Sequence, residues 1–316
     1  MLALGESLVI EDWELQDRDE LELNPLIDGI LWEQDRAMLI APQKTGKSIV
    51  ALQIARSLAG GMDFLGFKTP EPKTVLYLSG EGDLGELKSR SKEMGKLVPT
   101  QKDRLFYWPI PQHPMNKKEG LEKLLEIGKQ VKPDLTIFDP AYSLMSGNMK
   151  EDETVGDFLR NLNWFQKEIG TALMVTHHSH RPRRTDTGQL ISEGDQSYYG
   201  NFLWSAWPKR IYLLEVKGKE KFRQLSCSTY RDKTGLDEPL EMTLVEPSPL
   251  VLMPRTEGWS STMWQVWYKL DGGGMRKSDL VKSTGKALAT GYAAIATLEG
   301  LGLIEDKNGM YDKKAS

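Results

Sequence analysis

An α/β fold, with a mostly parallel sheet flanked by helices and a small C-terminal unit, is predicted by three observations on this 316-residue chain. Short apolar runs recur at residues 37–40, 74–78, 135–138, 172–176 and 211–216. Between some of them lie amphipathic stretches, at 48–58, 121–131 and 155–169, placed as crossover helices between buried parallel strands. From 222 to 246 the residues alternate around Gly235, the texture of a closing antiparallel hairpin.

Composition narrows the function classes. Hydrophobic residues at 39% and charged residues at 27% exclude a mainly disordered or fibrous chain. A net charge of -4 excludes a broadly basic surface, so a nucleic-acid site would have to be a local patch. Residues 1–36 carry eleven acids against Arg18 and Arg36. That acidic start lacks the cationic and apolar segments of a secretory signal, and the single Cys227 suits a reducing compartment, so a cytoplasmic protein is expected. The stretch 287–304 is too rich in Gly, Ala and Thr, and holds Glu299, so no membrane span is expected.

The first strand, 37–40, runs into Ala41-Pro42-Gln43-Lys44-Thr45-Gly46-Lys47-Ser48, and the helix from 48 follows with Ile49 in its first turn. Of five Gly-Lys pairs, only Gly46-Lys47 precedes Ser or Thr. Strand, loop and helix in this order form the phosphate-binding P-loop: backbone N–H groups wrap the phosphates, Lys47 reaches the β and γ oxygens, and Ser48 ligates Mg²⁺. ATP with Mg²⁺ is the expected cofactor pair. Ala41 stands where the pattern has its first Gly.

The second strand, 74–78, leads to Ser79-Gly80-Glu81-Gly82-Asp83. A Glu at a strand's carboxyl edge beside the P-loop can activate the attacking water, which makes Glu81 the candidate base; Asp83 is the competitor, or else the cap of the next helix. The third strand ends in Asp139-Pro140, a carboxylate placed for the Mg²⁺ shell. The fourth leads to His177-His178-Ser179-His180. Three histidines suggest a metal, but neighbours on a strand face opposite ways and no Cys or carboxylate stands at ligand spacing. His178 reads better as a polar tip that hydrogen-bonds the γ-phosphate.

These motifs together resemble the RecA-like ATPases, and within them the RepA-type hexameric helicases related to DnaB. The resemblance rests on 41–48, on Leu76-Tyr77-Leu78-Ser79-Gly80-Glu81 with Arg90 downstream, on Ile137-Phe138-Asp139-Pro140, on Met174-Val175-Thr176-His177-His178, and on the segment 200–214. It implies Glu81 as base, Asp139 for Mg²⁺, His178 as phosphate sensor, and a homo-oligomeric ring, expected to be hexameric, with ATP between subunits. It also places an arginine finger in the stretch 228–235, where Arg231 fits; Thr229 stands where the relatives have Lys, and Lys233 compensates or is a solvated turn residue.

After the His178 strand comes His180-Arg181-Pro182-Arg183-Arg184, then Tyr198 and Tyr199. Arg181, Arg183 and Arg184 can neutralise phosphates while tyrosines stack bases, the means of gripping single-stranded DNA without reading sequence; a merely solvated basic loop is the alternative. The loop 143–153 mixes Lys150 with Glu151, Asp152 and Glu153 and argues less for DNA.

Residues 1–25 are thus read as an acidic arm, 26–246 as the RecA-like ATPase domain and 247–258, with Pro247, Pro249 and Pro254, as a linker. Residues 259–316 resemble a winged helix, three helices closed by a hairpin. Its third helix, 286–302, offers only Lys286 against Glu299, so DNA binding and protein docking both stay open. The resulting expectation is an ATP-hydrolysing motor on DNA, a helicase of a plasmid, phage or mobile element with replication or recombination proteins as partners. The alternative is a non-motor switch or recombination mediator.

Overall fold

Strand β3, Arg36–Ala41, lies inside the main sheet because every residue after Arg36 is buried. The computed structural model describes residues 11–12, 24–179, 201–217, 222–230, 236, 238–245, 251–254, 260–270 and 273–314. A short hairpin, β1 (Pro25–Ile27) with β2 (Leu31–Trp32), precedes β3 and buries Leu26, Ile27, Ile30 and Leu31. Helix α1 (Lys47–Gly60) follows β3, then β4 (Val75–Ser79), α2 (Leu84–Gly95), β5 (Leu105–Pro109), α3 (Lys118–Val131) and β6 (Leu135–Asp139). After a 3-10 turn, Ala141–Leu144, come α4 (Asp152–Ile169), β7 (Ala172–His178), the short α5 (Leu203–Ala206), β8 (Arg210–Lys217), β9 (Phe222–Tyr230), β10 (Leu240–Val245) and β11 (Val251–Pro254).

These strands form one sheet in the order β11-β10-β9-β8-β3-β7-β6-β4-β5. The six from β8 to β5 are mutually parallel, and β9, β10 and β11 extend the sheet antiparallel. Strand β3 therefore has parallel neighbours on both sides, β7 and β8, and the loop after it opens at the carboxyl edge shared by all six. In open parallel sheets ligands bind at that edge.

Alternate residues of the strands supply the two faces. Leu39, Tyr77, Ile137 and Met174 pack with Ala51, Ile54, Ala55 and Leu58 of α1. Met38, Ile40, Leu76, Phe138 and Val175 pack on the other side with Phe158, Leu162 and Phe165 of α4. Helix α1 is buried almost all round, as befits the helix that carries the phosphate loop, whereas α4 shows a polar outer stripe. At the amino edge, Asp35, just before β3, and Arg210, the first residue of β8, form a fully buried ion pair, and the Arg210 guanidinium lies 4.0 Å from the Trp32 ring centre. Burial pushes the Asp35 carboxyl up, with Arg210 opposing it.

Two sequence readings need correction. Residues 247–258 do not form a simple linker, because Val251–Pro254 is strand β11, paired antiparallel with β10. Proline breaks central strands but is tolerated at the end of an edge strand, and β11 is the sheet's edge. Strand β5, on the opposite edge, was not expected at all; its Leu105-Phe106-Tyr107-Trp108 run is only half-buried and shows no period-2 contrast.

Helix α6 (Ser261–Lys269), β12 (Met275–Arg276), α7 (Lys277–Ser283), α8 (Leu288–Gly300), β13 (Ile304–Lys307) and β14 (Met310–Lys313) complete the chain. They have a separate apolar core of Met263, Val266, Leu280, Ile295, Leu298, Ile304 and Tyr311. The hairpin β13–β14 gains a third short strand, β12, on the β14 side. Helix α8 exposes Leu288 and Tyr292.

Candidate active site

The loop between β3 and α1 bends where the sequence allows it. Lys44 and Gly46 take left-handed angles, φ 61° and 109°, and a Cβ on Gly46 would meet nothing closer than 3.8 Å, so the angle and not the space demands glycine there. Ala41 is the last residue of β3, paired with His178 of β7 and buried. As a strand residue it needs no glycine, which accounts for the departure from the P-loop pattern. Gly46 caps α1 without a side-chain acceptor, leaving first-turn N–H groups directed at the loop.

Lys47 is 5% exposed and lies across the loop. Its ammonium donates to the Ala41 carbonyl at 3.0 Å, to the Pro42 carbonyl at 3.1 Å, and to His178 Nδ1 at 2.8 Å. Burial lowers the Lys47 pKa to about 8, against the raising effect of Asp139 and Glu81. Because Lys only donates, His178 Nδ1 must be the acceptor, and its proton sits on Nε2. Burial, then the Lys47 charge, pull His178 down to about 4, so the ring is neutral at ordinary pH. Nε2 is buried with no hydrogen-bond partner, and the ring packs 5.0 Å from that of Tyr142.

Asp139 is the buried last residue of β6. Its two oxygens accept from different hydroxyls, Oδ1 from Thr176 of β7 and Oδ2 from Tyr77 of β4. Burial and the carboxylate hold the Tyr77 phenol well above its ordinary range, so it remains a donor. Beyond β4 the chain turns past Asp139, with Gly80 N–H donating to the Asp139 carbonyl at 2.8 Å and Ser79 Oγ to the Glu81 carbonyl at 2.9 Å. Glu81 stands exposed at the cleft mouth; partial desolvation, then the Asp139 carboxylate, raise its pKa. Asp83 caps α2 instead, accepting from Glu86 N–H at 2.8 Å, and does not line the cleft.

Lys44, Gly46, Lys47, Ser48, Ile49, Glu81, Asp139 and His178 all border one cleft of about 370 Å³, with Leu52 and Leu87 among its apolar walls. That volume is within the range of small-molecule sites, about 300–1,000 Å³. Arg90 also lines it, paired with Glu86 one turn earlier on α2. Thr45, by contrast, is buried, its carbonyl accepting from Arg223 Nε at 3.3 Å. Pro42 gives Lys47 only its carbonyl.

Ser48 and Asp139 are hard oxygen donors at this cleft, which Glu81 and Glu86 also line. Among the described residues no group of three or more His, Cys, Asp or Glu is placed to hold a metal. The pair fits Mg²⁺ arriving with a nucleotide, since that ion keeps waters and phosphate oxygens in its shell. His177 faces the opposite side of the sheet, its ring stacked 4.7 Å from Trp204.

Arg223 and Tyr142 carry no motif that the sequence shows, and Tyr77 and Thr176 stand inside motifs without a role of their own there. Strand β9 runs antiparallel to β8, so Phe222 and Arg223 lie at the P-loop end while Tyr230 lies opposite Arg210, at the far end. Arg231, Arg181, Arg183, Arg184 and Gln43's side-chain role are a different matter: the four arginines fall outside the described residues, and Gln43 makes no contact that defines the cleft.

The AAA domain family profile matches residues 6–184. Among solved structures, a KaiC-like protein from the hyperthermophilic archaeon Pyrococcus horikoshii is similar at 16% identity and a TM-score of 0.50, over 73% of this chain and 94% of that one. At that identity the likeness is one of fold, the RecA-like α/β sheet flanked by helices. No curated protein matches significantly.

Proposed function

The chain belongs to the AAA domain family of P-loop ATPases, and from that premise we propose that it is an ATP-hydrolysing motor acting on DNA, a replicative helicase of the RepA type. The observation that supports the ATP-hydrolysing part of this reading is the convergence of Lys47, Glu81, Asp139 and His178 on one cleft from the tips of four adjacent strands or the loops after them. A kinase must keep water out, whereas a carboxylate poised at the mouth suits its activation.

In this reading the α1 N-terminus and Lys47 hold the phosphates, while Ser48 and Asp139 would hold Mg²⁺, which when bound would supply positive charge against the phosphates. Glu81 takes the proton of the attacking water, its raised pKa making it a stronger base than a free carboxylate. His178 Nε2, a buried donor without a partner, supplies a hydrogen bond to the γ-phosphate. Because β9 ends at the far edge of the sheet, a finger at Arg231 works on a neighbour's nucleotide, which requires an oligomer; a hexameric ring meets that need. Arg181, Arg183 and Arg184 contact single-stranded DNA, and residues 259–316 form a winged helix. No described helix is long and apolar enough to cross a membrane.

Native mass spectrometry or negative-stain imaging with ATP tests the ring. A six-membered assembly is expected, and a monomer under all nucleotide conditions overturns the trans arrangement.

A further inference from the structure

The Asp139 carboxylate is held at both oxygens by hydroxyl groups from the two strands beside it. Sheet register explains how. Asp139 is the partner of Ser79 in β4, and Phe138 is the partner of Val175 in β7. Tyr77, two residues before Ser79, and Thr176, one after Val175, therefore stand on the same sheet face as Asp139. Tyr77 reaches along the strand to Oδ2 and Thr176 reaches across to Oδ1. Tyr77 is itself fixed, its ring packed 5.9 Å from Tyr107 on β5, and it borders the cleft. Thr176 is fully buried.

We propose that Tyr77 and Thr176 are positioning residues that hold the Asp139 carboxylate in the orientation that recruits Mg²⁺ to the bound nucleotide. This rests on the ATPase reading above. A carboxylate at a strand tip rotates about its terminal torsion unless both oxygens are restrained. With one hydroxyl on each oxygen, its plane is set and the outer lone pairs remain for the metal's waters. Partners of this kind around a metal-binding group typically govern affinity by about 10–100-fold.

The test uses the full chain and a fluorescent ATP analogue, titrated first in EDTA and then with Mg²⁺. Tyr77→Phe and Thr176→Val each remove one hydroxyl and keep the shape, whereas Thr176→Ser restores the donor. Tyr77→Phe and Thr176→Val are expected to raise the Mg²⁺ concentration that half-tightens nucleotide binding by about 10–100-fold. Affinity in EDTA stays unchanged in Thr176→Val, since Thr176 does not line the cleft, and Thr176→Ser behaves as wild type. Thermal melts without nucleotide report folding separately, and the Thr176 pair decides the matter should Tyr77→Phe be unstable. An unchanged Mg²⁺ midpoint in Thr176→Val and any folded Tyr77→Phe overturns the positioning role alone. Nucleotide binding indifferent to Mg²⁺ in the wild type overturns the metal role of Asp139 itself, and no nucleotide binding at all overturns the ATPase reading.

Discussion

Lys47 Nζ donates to His178 Nδ1 at 2.8 Å, joining the cation of the phosphate loop to the tip of β7. The other two N–H groups of the ammonium go to the carbonyls of Ala41 and Pro42, so all three are engaged. Incoming phosphate oxygens must displace one of them. Of the three partners only His178 offers a side chain.

The Lys47 environment has a pH consequence. Its pKa is lowered to about 8 without nucleotide, and phosphate oxygens favour the charged form. Binding above pH 8 therefore takes up a proton, so ATP affinity is level below pH 8 and falls by up to about tenfold per pH unit above it. Calorimetry in buffers of different ionisation enthalpy measures the uptake directly. Affinity rising with pH in that window contradicts the account, and Lys47→Arg should lose the dependence, since Arg stays charged.

Glu81 and Asp83 are two residues apart and occupy different settings. Glu81→Gln should bind ATP as the wild type does and lose hydrolysis by at least about a hundredfold, the usual scale of a general base. Asp83→Ala should cost about 1 kcal/mol through the lost α2 cap and retain turnover. Single-turnover assays with both variants decide between them; wild-type rates in Glu81→Gln would reassign the base.

How much of this site is legible in the sequence depends on chain distance. Lys47, Ser48 and Gly46 are contiguous, and the backbone turn that they need is written in the residues themselves. Asp139 and His178 are legible because each follows a short apolar run that can only be a buried strand. Tyr77 and Thr176 are not, since their meeting with Asp139 depends on which strands are neighbours and in what register, which tertiary packing decides. Arg223 is hidden for the same reason, because only the antiparallel return of β9 brings it to Thr45. Strand β11 was obscured by the prolines around it, and β5 by its half-buried aromatic run.

The Asp35–Arg210 pair ties the residue before β3 to the start of β8, with exposures of 0% and 1%. Removing one partner strands a buried charge, so Asp35→Ala should lower stability by about 3–5 kcal/mol, visible as a shifted urea midpoint. Replacing both with apolar residues of similar size should restore most of that loss. A neutral Asp35→Ala would show that the pair adds nothing to the sheet.

Charge in the loop after β7 is tested by salt. Binding to single-stranded DNA loses about 0.7 in log–log salt slope per phosphate contact removed, so replacing Arg181, Arg183 and Arg184 with Ala should flatten the slope by about 2. An unchanged slope assigns these side chains to solvent.

We propose that the cleft of Lys47, Glu81, Asp139 and His178 drives movement on DNA. Unwinding of a forked duplex, followed with ATP and with Lys47→Ala as the control, tests it most directly. Strand separation that requires ATP and vanishes in Lys47→Ala is the predicted result; ATP hydrolysis by the wild type with no strand separation would contradict the motor and make the protein an ATP-dependent switch.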